Sequence, residues 1–375
     1  MLLSAIDDAY SDVINLVRYI YNNPETGLKE FKAKTKICDL LSSYGFSIKD
    51  VDDLPTSFVA TSGKGKPEIA FLAEYDALDG MGHACGHHLI TGISVLGGIG
   101  VQKSLKSKGT IHIIGCPAEE TIGAKATLVR MGIFKDIYAV MMIHPADRTE
   151  IIKLSLSLSR HEVIFKGISS HASANPWDGR SSLAGILSLF QAIDANRITM
   201  RGGDRIDGII RKGGAAPNVI PEIAVAEFYI RSKTLSSHAA LLKRFKEMVR
   251  GAAITYKLNY RINNIGNTYY PLKPDFTLAR VFEKHAREMG IKVDNFFTDH
   301  ELGSSDIGNV SHVVRTIHPT LKITHRATPA HSEAFRVAGD KPFAYKMVKS
   351  GAKLLAMTAM NMYKDNSLHY KKKWL

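Results

Sequence analysis

Cysteine is scarce in this chain: three residues, at positions 38, 85 and 116, among 375. So low and odd a count cannot build a disulfide framework, so the fold must rest on a packed core, and a reducing compartment, the cytoplasm, is the expected location. Long apolar runs are missing too. The longest, residues 88–101, is broken by four glycines and falls short of the ~18 residues a membrane-crossing helix needs. The chain starts with Asp7 and Asp8 where a signal peptide would place a basic stretch before an apolar one, so we expect a soluble protein with no membrane partner. Nor is there a stripe of Arg and Lys interleaved with aromatics, or any nucleic-acid-binding signature. The formal charge of +13 is spread along the chain: residues 162–265 hold 15 basic against 8 acidic residues, and the longest basic run is Lys371 to Lys373. That reads as a solvated basic surface, with no nucleic-acid partner.

What is present is ordinary globular material, 45% hydrophobic and 23% charged. The length suggests two domains, or one large domain carrying an insertion. Apolar residues at three-and-four spacing predict helices over residues 5–21 and 29–43. Short apolar runs at 69–73, 110–114 and 138–143 alternate with predicted helices at 88–105 and 125–133. This is the pattern of a mainly parallel sheet covered by helices on both faces, an α/β domain. Near Arg160 the character changes to strand alternation (Val163, Phe165), a helix at 182–196, a glycine- and arginine-rich stretch at 201–214, a strand around 225–231, a helix at 237–253 and a strand at 256–262. The β-α-β-β-α-β order predicts a ferredoxin-like α+β insertion. Residues 269–274 read as the return linker, and a helix at 341–363 closes the main domain. The expected division is 1–158 and 268–375 for the main domain and 159–267 for the insertion.

Chemistry concentrates after the predicted strands, where ligands of such sheets gather. In GHACGHHL, residues 82–89, Cys85 and His87 stand two apart among glycines, and thiolate with imidazole suits zinc or a neighbouring first-row metal. By itself the motif could equally be a buried thiol at a helix start, with His83 and His88 on the surface. In CPAEETIGA, residues 116–124, Glu119 and Glu120 repel each other unless a cation or solvent offsets them. Alone, they could be solvated acids opening a helix. His144 ends the apolar run at 138–143, and His331 lies in a polar turn. Together these residues supply enough borderline-soft ligands for one or two metal ions, with Glu119 left as a base.

With these motifs the sequence resembles the metal-dependent aminoacylase and carboxypeptidase family, and within it the branch of p-aminobenzoyl-glutamate hydrolases and dipeptidases that cleave before a basic C-terminal residue. EYDAL, GHACGHHL, PAEE, SSHASANPWDGRSSL, PNVIPE, GSSDIGNVS and AHSEAF follow one another in the family order, nearly end to end. The resemblance implies a catalytic domain of the zinc-exopeptidase type and an inserted lid that makes a homodimer. It implies two divalent ions per subunit, zinc with manganese or cobalt as alternatives, on Cys85, His87, Glu120, His144 and His331. Glu119 falls on the general base, and Asp76 on the aspartate that orients a ligand. His171 matches a lid histidine that reaches the other subunit's site and holds the oxyanion; Asn218 and Arg231 match contacts to the substrate or its carboxylate. His88 departs from the Asn or Asp of relatives, leaving room for an extra metal contact, and the role of Glu74 is left open. Cys38 and Cys116 match no functional position and are expected to be core thiols.

The implied activity is metal-dependent hydrolysis of the amide bond in small dipeptides or N-acyl amino acids. The runner-up is a carboxypeptidase or deacylase of broader specificity. A catalytically silent metal-binding scaffold would be expected to lack the base or a ligand, and neither is missing.

Overall fold

The computed structural model describes residues 1–105, 109–300 and 302–364; the basic run at 371–373 lies outside them. Two compact units emerge: residues 1–154, 272–302 and 306–375, and residues 155–271 with 303–305.

In the first unit, the strand Glu68–Glu74 is buried from its second residue onward. Alternate side chains serve opposite faces: Ile69, Phe71 and Ala73 join one apolar cluster, Ala70 and Leu72 another. Both faces are therefore covered, which is why the run is continuously apolar. The strand pairs in parallel with Gly109–Cys116 and with Ala139–Met141, and the latter pairs in parallel with Arg315–Ile317. Ser47–Asp50 and Phe58–Lys64 add an antiparallel edge, completing a six-stranded sheet. A single sheet covered by helices was legible; its antiparallel edge was not.

The helix His87–Ser104 is buried on nearly every side. Its glycines admit close neighbours: a Cβ at Gly92 would lie 2.4 Å from Val17, at Gly98 2.3 Å from Ile113, and at Gly100 2.5 Å from Ile6. The residues that interrupted the apolar run are those that let Leu2–Asn22 and the sheet press against it. Among the described residues no helix is long and apolar enough to cross a membrane.

One expectation changes. The apolar run at 138–143 does not carry a strand into His144: the strand is Ala139–Met141, and His144 opens a separate strand, His144–Ala146. The chain leaves one sheet there and enters a second, formed with Thr320–Lys322, Glu150–Lys153 and Asn295–Thr298. Strands of three or four residues, one containing Pro145, are too short for periodicity to separate.

The second unit has strands Ser157–Lys166, Arg205–Lys212, Ile223–Ser232 and Asn259–Asn264 with helices Ser182–Asn196 and Leu235–Thr255. The third strand pairs antiparallel with the first and second, and the fourth with the first, the ferredoxin-like arrangement predicted from element order. The glycine- and arginine-rich stretch resolves into the edge strand Arg205–Lys212. Val163, Phe165, Phe228 and Phe245 are among the residues that form its core.

Candidate metal centre

The four parallel strands of the six-stranded sheet deliver polar side chains at their carboxyl ends: Glu74 and Asp76 after Glu68–Glu74, Glu119 and Glu120 after Gly109–Cys116, His144 after Ala139–Met141, and His318 after Arg315–Ile317. His87 and Cys85 join them from the helix start. Gly86 takes φ +84 there, and a Cβ on it would stand 2.6 Å from Pro145 Cγ. Any larger residue would push the ligand helix off the strand that carries His144.

These segments bring ligand atoms together in three overlapping groups, each with its atoms within 4.8 Å of one another: Cys85, His87 and His144; Cys85, Glu120 and His331; His87, Glu119 and Glu120. Cys85 Sγ lies 3.6 Å from His144 Nε2, and His331 Nε2 lies 3.2 Å from Glu120 Oε1. His331 adopts φ +61 and its N–H donates to the Ala84 carbonyl at 2.9 Å, which seats it beside Cys85.

Partners on the far side of each ring set the tautomers. His87 Nδ1 is 2.9 Å from Asp76 Oδ1 and 3.0 Å from the Asp76 carbonyl. Both are acceptors, so Nδ1 carries the proton and Nε2 can offer its lone pair. His144 Nδ1 donates to the Pro145 carbonyl at 2.8 Å with the same result. The second Asp76 oxygen accepts from the Glu120 N–H at 3.0 Å, tying two candidate ligands to one carboxylate.

Electrostatics agree with a cation site. Burial alone would raise the Cys85 thiol, but His87 and His144 outweigh it, and Glu120, and hold it at about 6. Glu120, despite burial, is brought to about 2 chiefly by His331 and His87. Glu119, 8% exposed, is pushed well up by burial and then by Glu120, Glu74 and Asp306. The fit to a divalent ion rests on one observation: His87 Nε2 and Glu120 Oε1 are buried ligand atoms with no hydrogen bond, and buried polar atoms are rarely left so without a reason.

Glu119 and Glu120 do not open the following helix, which begins at Ala124. They sit in a turn that starts with Ala118 at φ +55, and the Ala118 N–H donates to Glu30 Oε1 at 2.8 Å. Glu30 was not legible from sequence; nothing local marks an acid that braces a turn 88 residues away. His83 and His88 are not surface residues but are buried. His88 Nε2 donates to the Gly339 carbonyl at 3.2 Å, so that nitrogen is committed outside the ligand cluster. Cys116 is a core thiol; Cys38 is half-buried.

Burial pushes His88 down to about 4 although the Gly339 carbonyl favours the charged ring. Between the ordinary value near 6.5 and 4, the unfolded chain therefore binds a proton that the folded chain refuses. Stability should fall as the pH drops through that window, by on the order of 2 kcal/mol at pH 5 from this residue. Urea midpoints at pH 7 and pH 5 should separate less in His88→Asn than in the parent; equal separation would show that His88 is not responsible.

In the second unit His171 is exposed and its Nδ1 accepts from the Ser173 and Ala174 N–H groups at 3.3 and 3.2 Å, so the neutral ring carries its proton on Nε2. The fold brings Asn218 alongside, its carbonyl accepting from the Ala172 N–H at 2.9 Å. Arg231 lies on Ile223–Ser232, its guanidinium donating to Asp207 at 2.8 Å.

Residues 157–257 match the peptidase dimerisation domain. Over 377 aligned residues the chain is 30% identical to the Xaa-Arg dipeptidase of Mus musculus, covering 95% of this chain and 87% of that protein. It is also 30% identical over 298 residues to a p-aminobenzoyl-glutamate hydrolase of Escherichia coli, covering 71% of this chain and 61% of that one. Among solved structures, a dinuclear metal-binding peptidase of the M20 family from Bacillus subtilis is similar with a TM-score of 0.67 at 20% identity, covering 95% of this chain and 99% of that one.

Proposed function

The chain belongs to the M20 family of metal-dependent peptidases and amidohydrolases, and from that premise we propose that it hydrolyses the amide bond of small dipeptides, those with a basic C-terminal residue first, or of N-acyl amino acids. The convergence of Cys85, His87, Glu120, His144 and His331 on one spot, with Glu119 in the same cluster, carries the reading. Those five residues would hold divalent ions, zinc with manganese or cobalt as alternatives and two per subunit by likeness to the dinuclear relative, which when bound acidify a water toward neutrality and polarise the carbonyl.

Glu119 accepts the proton of the attacking water as its oxygen bonds to the carbonyl carbon, then returns it to the nitrogen as the C–N bond breaks. Asp76 holds His87 in the ligating tautomer. His171, donating through Nε2–H from the other copy in a homodimer formed by the inserted domain, stabilises the oxyanion, a contribution worth about 3–4 kcal/mol for one good donor. Asn218 and Arg231 bind the substrate; a guanidinium has five N–H groups, so it can take a carboxylate while still bonded to Asp207.

A panel of Xaa-Arg and Xaa-Lys dipeptides, p-aminobenzoyl-glutamate and N-acetyl amino acids, offered to the metal-loaded protein, tests the substrate class. The highest kcat/KM is expected on the basic dipeptides. A clear preference for acyl amino acids would favour the deacylase reading, and cleavage of no amide would overturn both.

A further inference from the structure

Three ionisable side chains beside the candidate metal centre take no part in the chemistry above. Glu74, Lys125 and Asp306 each show 0% exposure. Lys125 Nζ stands 2.5 Å from Asp306 Oδ1 and 2.5 Å from Glu74 Oε1, and Asp306 Oδ2 accepts from the Lys125 N–H at 2.8 Å. Desolvating three charges costs several kcal/mol each, and apolar residues of similar volume commonly pack as well or better. Packing therefore does not account for the triad. Its charge is also unbalanced, since Asp306, which grips Lys125 by both backbone and side chain, already neutralises the ammonium.

The remaining carboxylate points at the metal centre. Glu74 Oε2 lies 3.4 Å from His87 Nε2, and both atoms are buried without a hydrogen bond. With the His87 proton on Nδ1, two lone-pair-bearing atoms face each other, an arrangement that is repulsive unless a proton or a metal ion lies between them. We propose that Glu74 is a positioning residue of the metal centre, its Oε2 directed at the ion held by His87, and that Lys125, clamped by Asp306, fixes it in that orientation. The proposal rests on the metal-centre reading above. It adds a fixed negative group to that ion and assigns Lys125 and Asp306 a task at one remove.

Zn2+ retention in competition with a chromogenic chelator, measured on the zinc-loaded full-length protein, tests it in Glu74→Gln, Lys125→Met and the double variant beside the parent, with unfolding midpoints for all four. Each single change should weaken retention of one ion by about 10- to 100-fold. The double variant should lose little more than the worse single, because both act through one carboxylate. A triad with a purely structural role would lower the midpoints and leave retention unchanged, and that result in folded Glu74→Gln overturns the proposal. Full additivity in the double variant overturns the link through Lys125. Should Lys125→Met fail to fold, the isosteric Glu74→Gln and the charge-balanced double variant still decide. A parent protein that retains no zinc, manganese or cobalt overturns the metal-centre reading itself, and the proposal with it.

Discussion

Glu119→Ala is expected to lower kcat by about 10²- to 10⁴-fold, the range for loss of a positioned general base, while metal content stays at the parent level. Glu119 shares a cluster with His87 and Glu120, yet the resemblance assigns the ligand role to Glu120 and the proton-transfer role to Glu119. Undiminished activity, or loss of metal along with activity, would reverse that assignment. The raised proton affinity of Glu119, due to burial and to the carboxylates around it, also sets a sign. A base is useful only when ionised, so kcat/KM should decline as the pH falls through its pKa, and this acid limb should vanish from the residual activity of Glu119→Ala. The same variant tests the dimer. Subunits carrying Glu119→Ala and subunits carrying His171→Ala, each inactive alone, should regain part of the parent rate when mixed, since one of the two sites in a hybrid dimer then holds both intact residues. No recovery after confirmed subunit exchange would place the His171 contribution within its own chain.

Removing the metal should be as severe. Chelation is expected to cut turnover by more than about 10³-fold, since the activated water and the polarised carbonyl are lost together, and Zn2+, Mn2+ or Co2+ should restore it. Activity that survives complete chelation would end the metallohydrolase reading. The Cys85 thiol, held at about 6 by His87 and His144 against burial, is largely thiolate at neutral pH. Protons compete for it below that, so apparent metal affinity should weaken as the pH drops through about 6. Cys85→Ser exchanges a soft ligand for a hard one and should lower affinity for zinc more than for manganese. Equal losses for both metals would argue that Cys85 does not touch the ion.

How much of this was legible in the sequence follows from the range of the interactions. The all-apolar run at 69–73 reported a strand buried on both faces because each of its side chains must meet an apolar neighbour, whatever that neighbour is. The β-α-β-β-α-β order reported the inserted unit for the same reason. By contrast, His144–Ala146 and its sheet were invisible: three residues with a proline carry no period. Glu74, Lys125 and Asp306 were invisible as a triad because their charges are 51 and 181 residues apart in the chain, as the Glu74–Lys125 and Lys125–Asp306 contacts show, and no local pattern pairs them.

The sequence by itself determined the inventory of chemistry: a thiol, histidines and twin glutamates, each placed after a strand of an α/β sheet, in an order that names the family. Residue type decides whether a group can ligate or take a proton, and that property travels with the side chain. The tertiary structure alone decided which nitrogen of each ring is available and which carboxylate is charged. Those depend on partners brought within about 3 Å by the fold: Asp76 behind His87, the Pro145 carbonyl behind His144, and Lys125 behind Glu74. Electrostatic interactions in a low-dielectric interior fall off over a few ångströms of space and take no account of separation along the chain.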